Sequence, residues 1–270
     1  TGTSDYIYHL AGSSFVADSF RQPQSYINDS IRTTVNILEA LKYRKSSAWT
    51  FIAGSSEIYS GSKQSSIDEN SSPIPANPYG IAKASTQSLS RIYSEVYKLK
   101  TCFGILFNHE SQFRARSFVT RKISHNIACL AINPDYPSMK LGNMNTSRDW
   151  SYALDFVEAI YRLSIEELRG DYVFASGKLA SLREFLELSA LAAGFNPILI
   201  GEGLNEKLLD RDSSRVLAEV SSDYFRPYDT IGKVGNSSKL KEFISFSDNS
   251  SLEELATLMV ETDLHRLTHV

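Results

Sequence analysis

Short apolar runs recur along the chain, and stretches with helical spacing of apolar residues separate them. The runs are YIYHL near the start, WTFIAG at 49–54, TCFGILFN at 101–108 and DYVFAS at 171–176. Runs of this kind, without apolar–polar alternation, are typical of strands buried on both faces of a sheet. Strands that alternate with helices form βαβ units. The sequence therefore predicts an α/β fold with a doubly wound parallel sheet and helices on both faces.

The remaining pattern predicts where helices lie and how the chain divides. Beyond a helix that carries Ile27 to Leu41, we expect helices at 117–131, 153–165, 181–194 and 250–264, and a short strand at 139–141. After about residue 195 the pattern loosens. We expect a nucleotide-binding domain over 1–108 and about 148–176. A smaller C-terminal substrate domain would comprise about 109–147 and 177–270.

Composition argues against several classes of partner. The 28 basic and 31 acidic residues give a net charge of −3, and no run of Lys or Arg suggests a nucleic-acid surface. The two cysteines, Cys102 and Cys129, lie in apolar surroundings, which suits buried thiols in a reducing cytoplasm. No metal-ligand spacing occurs, and no apolar stretch approaches the roughly 20 residues of a membrane span. We expect a cytoplasmic protein with no metal, no nucleic acid and no membrane partner.

A tyrosine and a lysine in the stretch NPYGIAK are candidates for catalysis. Pro78 favours a helix start here, so Tyr79 and Lys83, at i and i+4, would share one helix face. A neighbouring ammonium favours the phenolate, which would make Tyr79 a usable base near neutral pH. This spacing alone is weak, because any tyrosine-rich chain produces it by chance. Two ordinary residues on a surface helix are the alternative.

The strand at 49–54 ends in small polar residues that strengthen the case. Ligands of open α/β sheets bind at the carboxyl ends of the strands. If the strand pleat continued, Ser55 and Glu57 would point to the same side and Ser56 to the opposite side. A hydroxyl and a carboxylate would then stand beside the predicted helix of Tyr79. A turn-forming serine and a solvated glutamate are the alternative.

Several motifs together resemble one enzyme family. The order S-x-E followed by P-Y-x-x-x-K resembles the extended short-chain dehydrogenase/reductases, which have a Rossmann-like fold. The GDP-mannose 4,6-dehydratase family is the most similar group within them. The strings that carry this second resemblance are ILFNHES (105–111), FVTRKIS (118–124), LGNMNTSRDW (141–150) and YFRP (224–227). The resemblance extends from about residue 5 to about residue 265.

The resemblance implies a reaction and a role for each residue. In the family, NADP oxidises the sugar at C4, water leaves across C5 and C6, and the hydride returns to C6. GDP-mannose thereby becomes GDP-4-keto-6-deoxy-mannose. Tyr79 would take the C4 hydroxyl proton, Lys83 would favour the ionised phenol and bind the nicotinamide ribose, and Ser55 would bind the C4 oxygen. Glu57 would remove the C5 proton and help the C6 hydroxyl to leave.

The resemblance also implies binding residues and an assembly. It assigns the cofactor to Leu10, Ala11, Gly12, Ser13, Ser14, Lys83, His109 and Arg114. NADP is expected, with NAD as the alternative. It assigns the GDP-sugar to Asn108, Arg121, Lys122, Arg148 and Arg226, since guanidinium groups match phosphate oxygens. Surface or internal ion pairs are the alternative for each of these arginines. A homo-oligomer, a dimer or a tetramer, is expected.

The chain also departs from the family pattern. No G-x-x-G-x-x-G or G-x-G-x-x-G motif, which would bind a pyrophosphate, occurs in it. We expect an N-terminally truncated nucleotide-binding domain, a fragment that lacks about two βαβ units, and an activity that is doubtful for this piece alone. A degenerate protein without cofactor is the alternative. Other functions left open are another NAD(P)-dependent nucleotide-sugar dehydratase or epimerase, and a non-catalytic sugar-nucleotide-binding partner subunit.

Overall fold

The computed structural model describes residues 4–224, 232–244 and 250–269. The strands are, in chain order, β1 (Tyr6–His9), β2 (Trp49–Ala53), β3 (Ser66–Ile67), β4 (Thr101–Leu106), β5 (Asn108–Glu110), β6 (Met139–Leu141), β7 (Ser147–Arg148), β8 (Trp150–Tyr152), β9 (Gly170–Phe174), β10 (Ala180–Ser181), β11 (Pro197–Ile200), β12 (Lys207–Asp210), β13 (Val216–Val220) and β14 (Val234–Gly235). The helices are α1 (Val16–Arg21), α2 (Pro23–Tyr43), α3 (Pro78–Tyr97), α4 (Val119–Ile132), α5 (Ala153–Ile165), α6 (Leu182–Ala192), α7 (Ser238–Phe243) and α8 (Leu252–Thr268).

The chain divides into two compact units. The first contains the described residues of Thr1–Asn108, Asp155–Gly177 and Lys233–Ser247, and the second those of His109–Leu154, Lys178–Gly232 and Asp248–Val270. The sequence had grouped the stretch 233–244 with the later domain. The structure instead adds it to the first unit, because β14 pairs with β3 and Lys239 of α7 donates to the Asp171 carbonyl of β9.

A parallel sheet forms the centre of the first unit. Its described strands lie in the order β1-β2-β4-β9, and each neighbouring pair is parallel. One apolar cluster packs α2 and α3 against the sheet through Leu38, Tyr93 and Phe103, and a second packs α5 and α7 through Phe156 and Leu240. Because helices cover both faces, β2, β4 and β9 are largely buried on both sides, whereas the two tyrosines of β1 are exposed. The predicted α/β fold with a parallel Rossmann-like sheet is confirmed.

The alternation of side chains in β2 shows how one strand supplies both clusters. Trp49 and Phe51 pack with the α5 side, whereas Ile52 packs with the α2 and α3 side. All three are almost completely buried. The indole Nε1 of Trp49 donates to the Leu168 carbonyl at 2.7 Å, which satisfies the one polar group of this ring.

The second unit contains a mixed sheet and three longer helices. Strands β11, β12, β13 and β6 lie in that order, with antiparallel pairs except for the parallel pair β13–β6. Helices α4, α6 and α8 pack around a core of its own, which includes Phe185 and Met259. A capping box between Ser251 and Glu254 starts α8.

Strands β11 to β13 lie where the sequence pattern loosened, and the sequence did not predict them. The predicted positions of α4, α5, α6, α8 and β6 agree with the structure to within a few residues. No helix in the described ranges combines the length and apolar character needed to cross a membrane.

Candidate active site

The chain turns sharply where β2 ends. Ser55 has an extended backbone and caps a 3-10 turn at Ser56–Tyr59, with its Oγ accepting from the Glu57 amide at 3.2 Å. The sequence argument from strand alternation is therefore wrong here, because the pleat stops at Ala53. The turn, rather than the pleat, sets the direction of Ser55 and Glu57 at the carboxyl end of the strand.

The Glu57 carboxylate contacts the residue that starts the next helix. Its Oε2 accepts a hydrogen bond from Asn77 Nδ2 at 2.7 Å. The Asn77 Oδ1 in turn accepts from the Gly80 amide at 2.7 Å, which caps α3. Gly80 also lies close to the turn, since a Cβ on it would stand 2.5 Å from the Glu57 carbonyl oxygen. The turn of Glu57 and the first turn of α3 are therefore in direct contact.

Tyr79 and Lys83 lie in the first turns of α3, which begins at Pro78 as the sequence predicted. Both side chains are buried. The Lys83 Nζ is 5.8 Å from the centre of the Tyr79 ring and donates to the Ala53 carbonyl at 2.7 Å. The lysine thus joins α3 to the last residue of β2. The two residues do not belong to an exposed face of the helix.

The surroundings of Lys83 predict an unusual pH dependence of stability. Burial lowers the pKa of Lys83 from 10.5 to about 8. Between pH 8 and pH 10.5 the unfolded chain binds more protons than the folded protein, so the contribution of Lys83 to the free energy of unfolding rises with pH. Below pH 8 the lysine is charged in both states, and its burial as an ammonium opposes folding. We expect Lys83→Met to be about 2 kcal/mol more stable than the wild type at pH 7, allowing for the lost hydrogen bond. Urea unfolding at pH 7, 8, 9 and 10 measures the difference.

The difference between Lys83→Met and the wild type should shrink steadily as the pH rises from 8 to 10. The exposed Lys63 provides the control, because Lys63→Met makes the same substitution at a site without burial and should change the free energy of unfolding by less than about 0.5 kcal/mol. A Lys83→Met difference that is constant across this range would contradict the lowered pKa.

The loop after β1 lies next to this lysine. Leu10, Ala11, Gly12, Ser13 and Ser14 are exposed. Gly12 has φ +149°, and a Cβ on it would stand 4.0 Å from Lys83 Nζ and 3.9 Å from Ser30 Oγ.

The space at Gly12 suits a cofactor that approaches the backbone. The Ser30 Oγ is buried and has no hydrogen-bond partner among the described residues. The ribose of a dinucleotide is rich in hydroxyl groups and fits this arrangement. The exposed loop and Gly12 let it approach the backbone, and the Ser30 hydroxyl and the further N–H donors of Lys83 can form hydrogen bonds to it. Burial, and secondarily the charge of Lys83, lowers the pKa of His9 at the end of β1.

Arg121, which the sequence assigned to the GDP phosphates, is an internal residue of the second unit. It is 4% exposed, and its guanidinium forms an ion pair with the buried Asp263 of α8. Ser124 Oγ donates to the same carboxylate at 2.8 Å. The pair links α4 to α8 inside the core, so Arg121 has the internal ion pair that was the alternative to phosphate binding.

Other candidates of the second unit have protein partners too. Arg114 stacks on Phe118 at 3.6 Å, and its Nε is 3.3 Å from the carboxylate of Glu110. Burial raises the pKa of Glu110, against the opposing effect of Arg114. The guanidinium that the sequence assigned to the cofactor therefore neutralises a buried carboxylate.

Lys122 remains a candidate for the GDP-sugar. Its Nζ donates to the Lys140 carbonyl at 2.7 Å and lies 4.1 Å above the ring of Tyr224. Arg148 is half-buried and donates to the Ser147 carbonyl at 2.8 Å. Asn108 and His109 are half-buried in β5. Arg226 lies outside the described residues.

Asn77 is the contact that the sequence analysis missed. The signal was present, because asparagine before proline at a helix start is typical of an N-cap. The link to Glu57 could not be read from the sequence. Across the described ranges, no cluster of three or more His, Cys, Asp or Glu could hold a metal ion.

Comparison with known proteins identifies the family. The family model for GDP-mannose 4,6 dehydratase matches residues 2–259. This chain belongs to the GDP-mannose 4,6-dehydratase family. Members of the GDP-mannose 4,6-dehydratase family are hydro-lyases that use NADP, and the predicted family and enzyme class are confirmed.

Relatives in the family match almost the whole chain. The GDP-mannose 4,6-dehydratase of Sinorhizobium fredii (strain HH103) is 32% identical over 97% of this chain and 75% of its own length. GDP-mannose 4,6 dehydratase 1 of Arabidopsis thaliana is 35% identical over 96% of this chain and 68% of its own length.

Solved structures agree in fold. RMD from Pseudomonas aeruginosa, complexed with NADPH, has a TM-score of 0.82 at 22% identity and covers 98% of this chain and 82% of its own. The UDP-glucose 4-epimerase of Thermus thermophilus, complexed with NAD, has a TM-score of 0.76 at 20% identity. The match covers 96% of this chain and 77% of the epimerase chain. At these identities the likeness concerns the fold.

Proposed function

We propose that this protein converts GDP-mannose to GDP-4-keto-6-deoxy-mannose and water, with NADP as its cofactor. The observation that carries the proposal is the junction between β2 and α3. There the turn of Glu57 touches the first turn of the helix that carries Tyr79 and Lys83, and Lys83 is hydrogen-bonded back to the end of the strand. This strand–helix junction thus contains four functional groups: the Ser55 hydroxyl, the Glu57 carboxylate, the Tyr79 phenol and the Lys83 amine.

The loop from Leu10 to Ser14 and the amine of Lys83 would hold the cofactor. When bound, NADP supplies a reversible hydride acceptor at the sugar C4. The protein supplies position and charge around it. The open backbone at Gly12, beside Lys83 Nζ and Ser30 Oγ, supports this assignment.

In the proposed reaction, Tyr79 accepts the proton of the C4 hydroxyl and Ser55 donates a hydrogen bond to the C4 oxygen. Below pH 8 the Lys83 side chain is an ammonium at 5.8 Å from the ring, and its charge favours the ionised phenol. The nearby positive charge therefore helps the tyrosine to act as a base near neutral pH.

Glu57 performs the elimination. Once C4 is a ketone, the C5 proton is acidic enough for a carboxylate to remove it. The C5–H electron pair forms the C5–C6 double bond, the C6–O bond breaks, and the proton taken up by Glu57 leaves with the C6 oxygen as water. C6 would then accept the hydride that C4 had lost, and C5 would take up a proton equivalent to the one that Tyr79 received, which gives the 4-keto-6-deoxy sugar. A simple epimerase does not need a carboxylate base at this position, which favours a dehydratase over the epimerase alternative.

Residues of the later part of the chain would bind the GDP moiety. Lys122 and Arg148 are the cationic candidates, Asn108 in β5 is a polar candidate, and the sequence adds Arg226. Arg114 and His109 remain candidates for cofactor contacts. For Arg114, the contact would have to compete with its ion pair to Glu110.

The proposal is tested with three nucleotide sugars. The protein is expressed from its complete reading frame and supplied with NADP or NAD. It is incubated in parallel with GDP-mannose, dTDP-glucose and UDP-glucose, and the 4-keto-6-deoxy product is measured by mass spectrometry. We expect conversion of GDP-mannose with NADP and little of the others. A preference for dTDP-glucose or UDP-glucose, or binding of GDP-mannose without conversion, would contradict the proposal. The predicted homo-oligomer remains a prediction, which light scattering on the same preparation would test.

A further inference from the structure

The side-chain amide of Asn77 forms hydrogen bonds through both its oxygen and its nitrogen. Its side chain is buried, with 6% of the residue exposed. The Oδ1 accepts from the Gly80 amide, and the Nδ2 donates to Glu57 Oε2, each at 2.7 Å. The Nδ2 is also 3.3 Å from Ser60 Oγ. One side chain therefore joins the candidate base to the start of the helix that carries Tyr79.

Ser60 provides a second link between the same segments. Its Oγ donates to the Glu57 carbonyl at 2.8 Å and accepts from the Ala76 amide at 2.8 Å. The close approach of Gly80 to the Glu57 carbonyl leaves no room for the turn to move toward the helix. The backbone of Glu57 is thus fixed, and the orientation of its carboxylate depends on the bond from Asn77.

The amide can adopt only one orientation here. A flip about χ2 would bring Oδ1 against the Glu57 carboxylate and the NH2 group against the Gly80 amide, so both hydrogen bonds would be replaced by repulsive contacts. Because the Gly80 amide is a donor, it fixes Nδ2 toward the carboxylate. The cap of α3 therefore also determines where the donor to Glu57 stands.

We propose that Asn77 is a positioning residue, which holds Oε2 of Glu57 and so directs the other carboxylate oxygen toward the substrate. This inference rests on the proposed function of Glu57 as the base that removes the C5 proton. A base contributes fully only when its orientation is fixed before the reaction. No contact between Asn77 and the substrate is required.

Asn77→Asp separates positioning from capping. Aspartate retains the oxygen that accepts from Gly80 and is as good a helix cap as asparagine, but it places a second carboxylate oxygen against Glu57 in place of the donor. We expect kcat to fall about 30-fold, a part of what a general base contributes, with KM for GDP-mannose unchanged. Repulsion between the two carboxylates should lower the melting temperature by about 3–6 °C.

The isotope effect with GDP-mannose deuterated at C5 provides a readout that a purely structural role would not change. In Asn77→Asp it should rise toward its full intrinsic value, because proton removal becomes the slow step. Ser181→Asp is the matched control, since it adds the same charge at the N-cap of α6 in the other unit. That variant should retain the kcat and the isotope effect of the wild type.

If Asn77→Asp does not fold cooperatively, Asn77→Ser takes its place, because serine caps the helix and lacks the amide donor. We expect it to show the same rise in isotope effect with a smaller loss of kcat, about 10-fold. A folded variant of either kind with wild-type kcat and isotope effect would overturn the inference.

The contact itself can be measured without activity. In 15N-labelled protein, the side-chain amide signal of Asn77 is assigned by its loss in Asn77→Ser and is then observed in Glu57→Ala. A shifted signal supports the bond, and an unchanged signal overturns the inference. A shifted signal in a protein that converts none of the three nucleotide sugars would overturn the proposed function and leave the bond between Asn77 and Glu57 supported.

Discussion

Replacing Tyr79 by phenylalanine is expected to lower kcat about 1000-fold, roughly 4 kcal/mol in the activation barrier. The ring remains, and so does its packing beside Lys83 in the first turns of α3. Only the hydroxyl that would take the C4 proton is lost. Because this proton transfer belongs to the reaction rather than to binding, the affinity for GDP-mannose should stay within about twofold of the wild type.

Steady-state kinetics and isothermal titration calorimetry on the same preparations separate the two effects. Tyr97 lies on the same helix with 44% of its surface exposed, so Tyr97→Phe is the matched control and should retain full activity. Turnover by Tyr79→Phe within about tenfold of the wild type would mean that another group takes the proton, and the assignment of the base would then be wrong.

Replacing Asp263 by alanine is expected to destabilise the second unit by about 3–5 kcal/mol. The substitution leaves the guanidinium of Arg121 in the core without its counter-charge, and it also removes the acceptor of the Ser124 hydroxyl. An uncompensated buried charge costs more than the ion pair contributes, which explains the size of the effect. Urea unfolding followed by the fluorescence of Trp150, one of the two tryptophans and a residue of this unit, measures it.

Two further variants test the origin of this loss. Glu261→Ala, on the exposed side of the same helix, should change the free energy of unfolding by less than about 0.5 kcal/mol. The double variant Arg121→Met with Asp263→Leu should recover most of the stability, since apolar residues often replace a buried pair without loss. A loss below about 1 kcal/mol in Asp263→Ala would show that Arg121 is accessible to water. Arg121 would then return to the candidates for phosphate binding.

The sequence predicted the start of α3 correctly, and it predicted the geometry of the turn after β2 less well. Pro78 indicated the start of α3 because proline suits the first helical turn, and the i, i+4 spacing then placed Tyr79 and Lys83 on one face. The direction of Glu57 was argued for the wrong reason, since a 3-10 turn replaces the strand pleat after Ala53. The functions of the arginines were the hardest to predict from the sequence. A phosphate ligand and one half of a buried ion pair are the same residue type, and only the partner that the fold brings to the guanidinium distinguishes them.

The sequence by itself determined the parallel sheet of the first unit, the positions of most helices and the family, because periodicity, helix caps and ordered motifs are local properties of the chain. Only the tertiary structure decided which charged groups are available for function. Arg121 meets Asp263 and Asn77 meets Glu57 through contacts between segments that are distant in sequence. Burial and partner choice depend on how these segments pack, and no local pattern in the sequence specifies that packing.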